Sequence, residues 1–388
     1  MSMDETESAL RLVEIEGRGR ALVASQPLKA GQIVLRDSPI VVYSALPLIK
    51  HQFSASYCDN CFRMIPLSTN ATPCTSCSYN HLFCSPNCFT AAIGSSHSPW
   101  VCQALSRLRE CPSLISQPLE LQVQARFLIA AYNLAFVSPS QFQVLVSLQG
   151  QGSPSDAPSA QFLHSLISSI CPPPSLSLSM ELTAALLAKD KLNAFGLMGP
   201  FSIQKDGQRS VRAYGIYPKA SFFNHDCLPN VCRFDYLDSA PDHNTDIIVR
   251  MIHDVPQGRE ICLSYFPVNL NYSIRQKRLL EDYGFTCDCD RCKVEANWSD
   301  NEADAIDDNE NEEELMDEDD EEQMAASDTE QEAAGGDTDF PHAYFFLRYM
   351  CNQENCWGTL APLPPSDSSP SKLMECNVCG NLKNDENY

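Results

Sequence analysis

Cysteines constrain this chain most, because they are grouped in closely spaced pairs along much of its length. Most of the 19 cysteines in the 388 residues lie one to four residues from another cysteine. Two thiolates at such a spacing can chelate one Zn²⁺, and two pairs complete a tetrahedron. The N-terminal residues carry no basic and apolar signal region, and no stretch has the length of a membrane span, which predicts an intracellular protein with reduced thiols. The sequence therefore predicts small zinc-organised modules and no disulfide framework.

Three cysteine clusters can be separated by their spacing. The first offers eight ligands in four pairs, enough for two zinc ions: Cys58 and Cys61, Cys74 and Cys77, Cys84 and Cys88, His97 and Cys102. The second supplies three ligands in six residues and requires a distant fourth: Cys287, Cys289 and Cys292. The third contains two pairs at a ribbon-like separation: Cys351 and Cys356, Cys376 and Cys379. Zinc at such sites is structural, and its binding energy is also folding energy.

The negative charge of the chain is concentrated in one segment. The formal net charge is −23, but 20 of the 50 acidic residues lie between Asp300 and Asp339, where there is no Lys or Arg. The remaining 30 acidic residues nearly balance the 27 basic ones. The segment 298–339 is also poor in core-forming residues, which predicts a disordered linker. No basic face is evident, so strong direct binding to nucleic acid is not expected.

Strand-like and helical patterns alternate along the chain. Apolar runs that predict short strands occur at 33–35, 40–43, 210–214, 231–236, 247–251 and 261–265. Between the two groups of runs, apolar residues at 119–136 recur at helical spacing, which predicts a helix that begins an α-helical region extending to about Leu192. The strand-rich core is therefore split in sequence by a metal-binding region and a helical insert.

Four short motifs resemble one family. They are 17–22 (GRGRAL), 224–230 (NHDCLPN), 258–266 (GREICLSYF) and 283–289 (YGFTCDC). Together they resemble the SET methyltransferase fold, and a MYND zinc finger inserted after the first strands is typical of SMYD-type proteins. The similarity is closest to a plant branch of ASH-related histone-lysine methyltransferases. It implies an α+β fold, with a SET-domain core of small β-sheets, an inserted MYND finger, an α-helical SET insert, a post-SET zinc site and a C-terminal zinc module.

The resemblance also implies a division of the chain into segments. The expected segments are the SET N-terminal part at 1–50, the MYND finger at 51–103, the helical insert at 104–190, the catalytic core at 191–268, the post-SET segment at 269–297, the acidic linker at 298–339 and the C-terminal cysteine module at 340–388. The family's interleaved pattern assigns one MYND zinc to Cys58, Cys61, Cys84 and Cys88. It assigns the other to Cys74, Cys77, His97 and Cys102.

Two ligand assignments depend on the family pattern. The spacing of the last MYND pair is one residue longer than usual, so His81 remains an alternative to His97. In SET proteins the cysteine of the Asn-His-x-Cys motif joins the post-SET cysteines on one zinc. The resemblance therefore implies that Cys227 is the missing fourth ligand of Cys287, Cys289 and Cys292.

The reaction implied by the resemblance is methyl transfer from S-adenosylmethionine to a protein lysine. A lysine near pKa 10.4 must lose its proton, which a narrow apolar channel favours. The resemblance makes Tyr265 the catalytic tyrosine and gives Tyr283 a second orienting hydroxyl, although an isolated tyrosine more often only packs. The expected cofactor contacts are Gly17, Arg18, Gly19, Asn193, Asn224, His225, Tyr265, Tyr283 and Phe285. Phe285 is expected to stack on the adenine.

Partners and location follow from the resemblance alone. It implies a protein substrate with a target lysine, such as a histone tail, and residence in the nucleus at chromatin. A non-histone protein substrate and a cytoplasmic location are alternatives to the histone tail and the nucleus. A second hypothesis is a catalytically silent adaptor whose MYND finger binds proline-rich peptides. The acidic segment can be interpreted as a solvating linker or as a region that steers basic substrates by its field.

Overall fold

The computed structural model describes most of the chain outside its acidic stretch. The described residues are 9–49, 56–66, 71–77, 81–151, 156–174, 178–200, 209–238, 243–297, 342–365 and 371–385. The predicted disordered linker at 298–339 lies outside these ranges. Within them, short strands in small sheets combine with helices, so the expected α+β class is confirmed.

The described ranges contain mostly short strands and several helices, of which α4 is the longest. The strands are β1 (Leu10–Ile15), β2 (Gly19–Ala24), β3 (Ile33–Asp37), β4 (Val41–Ser44), β5 (Ser56–Tyr57), β6 (Met64–Ile65), β7 (Thr72–Pro73), β8 (Leu82–Phe83), β9 (Ala194–Met198), β10 (Val211–Ile216), β11 (Asn224–His225), β12 (Val231–Phe234), β13 (Ile247–Met251), β14 (Cys262–Leu263), β15 (Leu360–Pro362), β16 (Leu373–Cys376) and β17 (Leu382–Asn384). The helices are α1 (Pro86–Ile93), α2 (Pro99–Arg109), α3 (Pro112–Ile115), α4 (Leu119–Val137), α5 (Pro139–Ser147), α6 (Ala157–Ile170), α7 (Met180–Asn193), α8 (Tyr272–Tyr283), α9 (Asp290–Glu295) and α10 (Ala343–Tyr349). None of these helices is long and apolar enough to cross a membrane.

The strand core comprises β1–β4 and β9–β14, arranged in four sheets. Strands β1 and β2 form an antiparallel hairpin, and the two three-stranded sheets have the orders β4-β10-β9 and β12-β13-β3. The hairpin turn contains Gly17 and Gly19 at φ +76° and +70°, in the left-handed region that glycine adopts without strain. The predicted strands at 33–35, 40–43, 210–214, 231–236 and 247–251 all fall on strands of this core.

The fourth sheet joins two remote motifs. Strands β11 and β14 pair in parallel although each has only two residues. Asn230 fastens this crossing, because its Nδ2 donates to the Glu260 carbonyl at 2.8 Å and its Oδ1 accepts from the Cys262 N–H at 2.9 Å. The Ile261 N–H donates to the carbonyl of Leu22 at 2.8 Å, which adds the β2 segment. Three of the sequence motifs therefore meet at one place.

The helical region α2–α7 packs around α4. As the spacing at 119–136 predicts, a long helix forms there, and most of its surface is buried. Even Arg126 is buried, and burial lowers the pKa of its guanidinium to about 10. Its Nη2 donates to the Pro47 carbonyl at 2.9 Å, so the helix is tied to the chain after β4. This region has its own apolar core, which is centred on residues such as Phe127, Leu128 and Tyr132.

The C-terminal module, residues 342–365 and 371–385, consists of α10 and the sheet β15-β16-β17. Its apolar residues share one cluster with the strand core, in which Cys232, Phe234 and Ile252 pack with Leu360 and Met374. The module is therefore joined to the strand core by a continuous apolar interface.

Candidate active site and metal clusters

The structure gathers the predicted zinc ligands into four groups. In each group the ligand atoms lie within 4.8 Å of one another: Cys58, Cys61, Cys84 and Cys88; Cys74, Cys77, His97 and Cys102; Cys227, Cys287, Cys289 and Cys292; Cys351, Cys356, Cys376 and Cys379. These groups have the predicted membership, including the interleaved pairs of the MYND-type region. We call the third group the core site and the fourth the terminal site.

The donor set of each group fits zinc. Four soft sulfur ligands, or three with an imidazole, within such a distance are suited to tetrahedral Zn²⁺. His97 completes the second group, and its buried Nε2 has no hydrogen-bond partner among the described residues. Burial, assisted by the neighbouring His81, lowers the pKa of His97 to about 4, so the imidazole is neutral and able to bind metal.

His81 lies beside the second group and is not a member of it. Its ring centroid is 4.7 Å from that of His97, and its Nδ1 lies 3.1 Å from Oδ1 of Asp59. The geometry therefore favours His97 over His81 as the fourth ligand. Asp59 also accepts the Leu82 N–H at 2.8 Å, so the loop of the first group is linked to the strand that follows His81.

The core site is held by a buried cation. Arg275 on α8 donates from Nε to Cys227 Sγ at 3.2 Å and from Nη2 to Cys292 Sγ at 3.6 Å. Its Nη2 also pairs with Glu295, which in turn pairs with Arg291. Four thiolates around Zn²⁺ carry excess negative charge, which a guanidinium at this position partly neutralises. The motifs did not reveal Arg275, because its position in a helix of mixed polarity gives no signal of a metal contact.

Tyr265 and Tyr283 face each other, with ring centroids 4.7 Å apart. Tyr265 follows β14, and its N–H donates to Nδ1 of His225 at 3.1 Å while its hydroxyl donates to the Phe223 carbonyl at 3.0 Å. Tyr283 is the last residue of α8, which ends at Gly284 in a left-handed conformation. Burial, with Tyr283 as a second cause, raises the pKa of the Tyr265 phenol. Tyr265 is therefore a neutral hydroxyl at physiological pH and is unsuited to act as a general base.

His225 is a neutral positioning group. Burial lowers its pKa to about 3, and because Nδ1 accepts the N–H of Tyr265, the ring proton belongs on Nε2. That Nε2 lies 3.2 Å from Cys227 Sγ and donates to it. The same imidazole thus connects the core site with the backbone of Tyr265. Its ring lies between Tyr265 and Phe285, at centroid distances of 5.2 and 6.5 Å.

The predicted cofactor contacts form a corner next to His225. Arg18 donates from Nη2 to the His225 carbonyl at 2.9 Å and pairs with Glu260 at 2.9 Å. The side-chain amide of Asn224 also donates to Glu260 at 2.9 Å. The sequence analysis gave Glu260 no role, although its place within the 258–266 motif was a usable signal. A Cβ added to Gly17 would meet nothing within 4 Å, so this side of the turn is open.

Phe285 and Asn193 differ in how available their side chains are for the predicted cofactor contacts. The Phe285 ring is 37% exposed near His225, so it has a free surface for stacking. The buried Asn193 uses its amide nitrogen to donate to the carbonyls of Gln149 and Lys189, at 2.7 and 2.8 Å. The amide nitrogen of Asn193 therefore holds the end of α7 in place. Its Oδ1 remains available for a cofactor contact.

A cavity of about 370 Å³ adjoins the tyrosine pair. The strand core and the segment after it contribute Tyr265, Tyr283, Phe223 and Phe266 to its lining, and the C-terminal module contributes Trp357, Thr359 and Asn377. The open cofactor corner, with Asn224 and Phe285, does not line this cavity. The tyrosines therefore lie between this cavity and the cofactor corner. The contribution of the C-terminal module was also missed.

A strand core of small sheets with a half-buried tyrosine pair beside it agrees with the SET-type fold that the motifs resemble. The SET domain family model matches residues 19–266, well over half of the chain, so the chain belongs to the SET-domain family. It is 59% identical to the Arabidopsis thaliana protein named histone-lysine N-methyltransferase ASHR2, and the match covers 98% of this chain and 96% of that protein. The ASH-related branch expected from the motifs is thereby confirmed.

Other matches are more remote. The Arabidopsis thaliana protein named histone-lysine N-methyltransferase ASHR1 is 24% identical over 74% of this chain and 55% of its own length. Among solved structures, the SET domain of LSMT bound to lysine and AdoHcy aligns with 73% of this chain and 54% of that chain, at 12% identity and a TM-score of 0.34. Family membership therefore rests on the sequence matches.

Proposed function

We propose that this protein transfers methyl groups from S-adenosylmethionine to lysine side chains of proteins, with histones as substrates. The observation that carries this proposal is the half-buried pair of Tyr265 and Tyr283, which lies between the cavity and the open corner at Gly17 and Asn224. Two compartments divided by hydroxyl groups suit a reaction between two molecules that enter from different sides. The name of the similar Arabidopsis protein supports the same reaction.

The residues at the corner suit S-adenosylmethionine. When bound, this cofactor supplies an electrophilic methyl group on a sulfonium. The residues that would hold it are Gly17, Arg18, Gly19, Asn193, Asn224, His225, Tyr265, Tyr283 and Phe285. The open turn allows close backbone approach, and the exposed face of Phe285 offers a stacking surface.

Tyr265 is oriented to receive an amine. Its hydroxyl proton is donated to the Phe223 carbonyl, so its lone pairs are left for the cavity. There they can accept an N–H of an uncharged lysine, which keeps the nitrogen lone pair free for attack. The aromatic walls exclude water and penalise the ammonium form, so they favour loss of the lysine proton before transfer.

A histone tail is the proposed substrate, and the nucleus is the proposed location. A basic tail complements the acidic sequence between Asp300 and Asp339, which holds 20 carboxylates and no Lys or Arg. This complementarity favours encounter with basic proteins. The proline-rich ligand of the MYND-type region stays a prediction.

The test replaces Tyr265 by Phe and measures methylation of recombinant core histones with labelled S-adenosylmethionine. We expect kcat/KM to fall about 100-fold, because misplacement of the reacting amine has costs of this order. The matched control is Tyr132→Phe, which removes a buried hydroxyl that lies 2.9 Å from Thr183 in the helical region. Both variants should keep their zinc content, and Tyr132→Phe should also keep the cofactor affinity of the parent protein.

Two outcomes would contradict the proposal. If the folded, zinc-loaded protein does not bind S-adenosylmethionine, the chain is a silent adaptor. If Tyr265→Phe is as active as Tyr132→Phe, the tyrosine pair is structural. Mass spectrometry of the methylated proteins tests the substrate, because methylation of lysines only outside histones would reject the histone assignment and leave the reaction intact.

A further inference from the structure

The C-terminal module contributes part of the wall of the cavity beside the tyrosine pair, which we call the outer wall. Trp357 and Asn377 of the module line the same cavity as Tyr265 and Tyr283. Because the family model ends at residue 266, this wall comes from outside the matched SET domain. The cavity wall is therefore built by the SET core and the post-SET segment and, in part, by a separate cysteine-rich unit.

A buried ion pair fixes the module against the strand core. Arg250 on β13 is 2% exposed, and its Nη2 donates to Glu375 at 2.9 Å and to the Ala361 carbonyl at 3.3 Å. Its guanidinium carbon lies 3.9 Å from the centroid of the Phe234 ring, a cation–π contact. One buried side chain of the strand core thus contacts two strands of the module.

Hydrogen bonds also join the C-terminal module to the strand core next to the cavity. Asn377 donates from Nδ2 to the Arg233 carbonyl at 3.3 Å and accepts the Thr359 N–H at 2.8 Å. Arg209 donates to the Val378 carbonyl at 3.0 Å and to the Gly199 carbonyl at 2.6 Å. The outer wall is therefore held in place and is pre-organised for a ligand.

Trp357 is the most prominent group of this wall. Its side chain is 52% exposed, although its backbone lies between Cys356 of the terminal site and Gly358. A Cβ on Gly358 would lie 2.2 Å from Cys376 Sγ, so the chain passes directly against a predicted zinc ligand. A single exposed tryptophan is common, but this one is rigidly supported and faces the cavity that leads to the tyrosine pair.

Two charged side chains, Arg233 and Asp235, line the cavity, and both already have partners within the fold. Arg233 donates to the Gly196 carbonyl at 2.7 Å, and Asp235 accepts the Met198 N–H at 2.6 Å, so both charged groups are engaged within the fold. Aromatic and aliphatic surface with neutral polar groups favours an apolar residue next to the target lysine. An unpaired carboxylate or guanidinium there would lose hydration without gaining a partner.

We propose that the C-terminal module forms the outer wall of the substrate channel, and that Trp357 binds the polypeptide next to the target lysine and selects an apolar neighbour. This inference rests on the proposed lysine methyltransferase function. In this proposal Trp357 is a specificity-determining residue, since its exposed side chain lines the cavity and it carries none of the hydroxyl groups assigned to the reaction. It should affect substrate affinity and leave the chemical step unchanged.

The experiment compares Trp357→Ala with Leu382→Ala, which truncates another exposed apolar side chain of the same module outside this cavity. With recombinant core histones, Trp357→Ala should raise KM about tenfold or more, as for a central tryptophan in an interface, with kcat within twofold. Leu382→Ala and Trp357→Phe should stay close to the parent protein. Zinc content and S-adenosylmethionine affinity should match in all four proteins.

A peptide pair tests the preference. The two synthetic peptides contain the histone lysine that the parent enzyme methylates, with Leu or Asp next to it. The parent should prefer the Leu peptide, and Trp357→Ala should lose most of that preference. Unchanged KM and preference in a zinc-loaded Trp357→Ala protein would overturn the inference while the methyltransferase function stands. Absence of methylation by the parent protein would instead reject the proposed function.

Discussion

The core site and the terminal site each consist of four cysteines, but they connect different parts of the molecule. The core site joins Cys227, which follows β11 in the strand core, to three cysteines beyond α8. The terminal site joins residues within a single module, from Cys351 to Cys379. Only the first site therefore fixes the segment that carries Tyr283 and Phe285 to the segment that carries His225.

The length of chain that each site closes does not explain this difference. Cys227 and Cys287 are 60 residues apart, whereas Cys351 and Cys379 are 28 apart. Loop-closure entropy grows with the logarithm of length, so the two closures differ by only about 0.7 kcal/mol. The importance of each site for activity must therefore depend on its position relative to the tyrosine pair.

Loss of one ligand at each site should separate their roles most strongly. Cys227→Ser should remove one zinc and abolish methyl transfer, because the segment with Tyr283 and Phe285 loses its attachment to His225. Cys356→Ser should also remove one zinc but keep S-adenosylmethionine binding, since the terminal site does not contact the cofactor corner. Zinc content by elemental analysis and cofactor affinity by calorimetry measure both effects.

A control thiol makes this comparison interpretable. Cys111 lies outside the four groups, with its Sγ 3.1 Å from the Ser113 hydroxyl, so Cys111→Ser should keep zinc content and activity. If Cys356→Ser loses cofactor binding as completely as Cys227→Ser, the two sites do not differ in the way proposed here.

The second difference is the buried cation at the core site. Arg275→Gln removes the guanidinium that contacts two sulfurs and leaves Glu295 with Arg291 alone. Breaking such a buried network should cost about 3–5 kcal/mol of unfolding free energy. It should also weaken zinc binding at the core site about 10–100-fold, as loss of a group that supports metal ligands does.

The matched variant at the terminal site is Arg209→Gln. Arg209 donates to the Val378 carbonyl and not to a thiolate, so terminal zinc affinity should fall less than about threefold, a change below 1 kcal/mol. Chelator titration with alkylation of released thiols identifies which site loses metal. Equal chelator sensitivity of the two sites in both variants would contradict the special support of the core site.

The ligand groups were largely predictable, and the hydrogen-bond roles were not. Paired cysteines fix chelation locally, so the sequence indicates the ligands of the terminal site directly. The pairing of Cys227 with the post-SET cysteines required the family resemblance. Asn193 shows the limit, because no pattern reveals that its amide donates to the carbonyl of Gln149, which is 44 residues away.

Strand boundaries were likewise predictable in one case and not in another. The run at 247–251 coincides with β13, whereas the run at 261–265 contains only the two-residue β14. The chain leaves the sheet after Leu263, and the Ser264 hydroxyl donates to the Phe266 carbonyl at 2.7 Å. This local turn places Tyr265 at the cavity. Apolar character alone does not distinguish a buried strand from the turn that follows it.

The smallest expected effect concerns how the terminal site's module is attached. Glu375→Gln weakens the contact with Arg250, and we expect a loss of about 2 kcal/mol, typical of a hydrogen bond to a charged group. The comparison variant is Asp385→Asn, which weakens a partly exposed pair with Arg348 inside the module and should cost less than about 1 kcal/mol.

Kinetics then distinguish attachment from internal stability. Because Arg250 holds the module against the strand core, Glu375→Gln should loosen the outer wall of the cavity and raise KM for histones severalfold, with kcat within twofold. Asp385→Asn should leave both constants unchanged. Both variants should retain the zinc content of the parent protein. If the two variants raise KM equally, the wall responds to the stability of the module and not to its docking. A fall in kcat for Glu375→Gln would show that the module also positions the tyrosine pair.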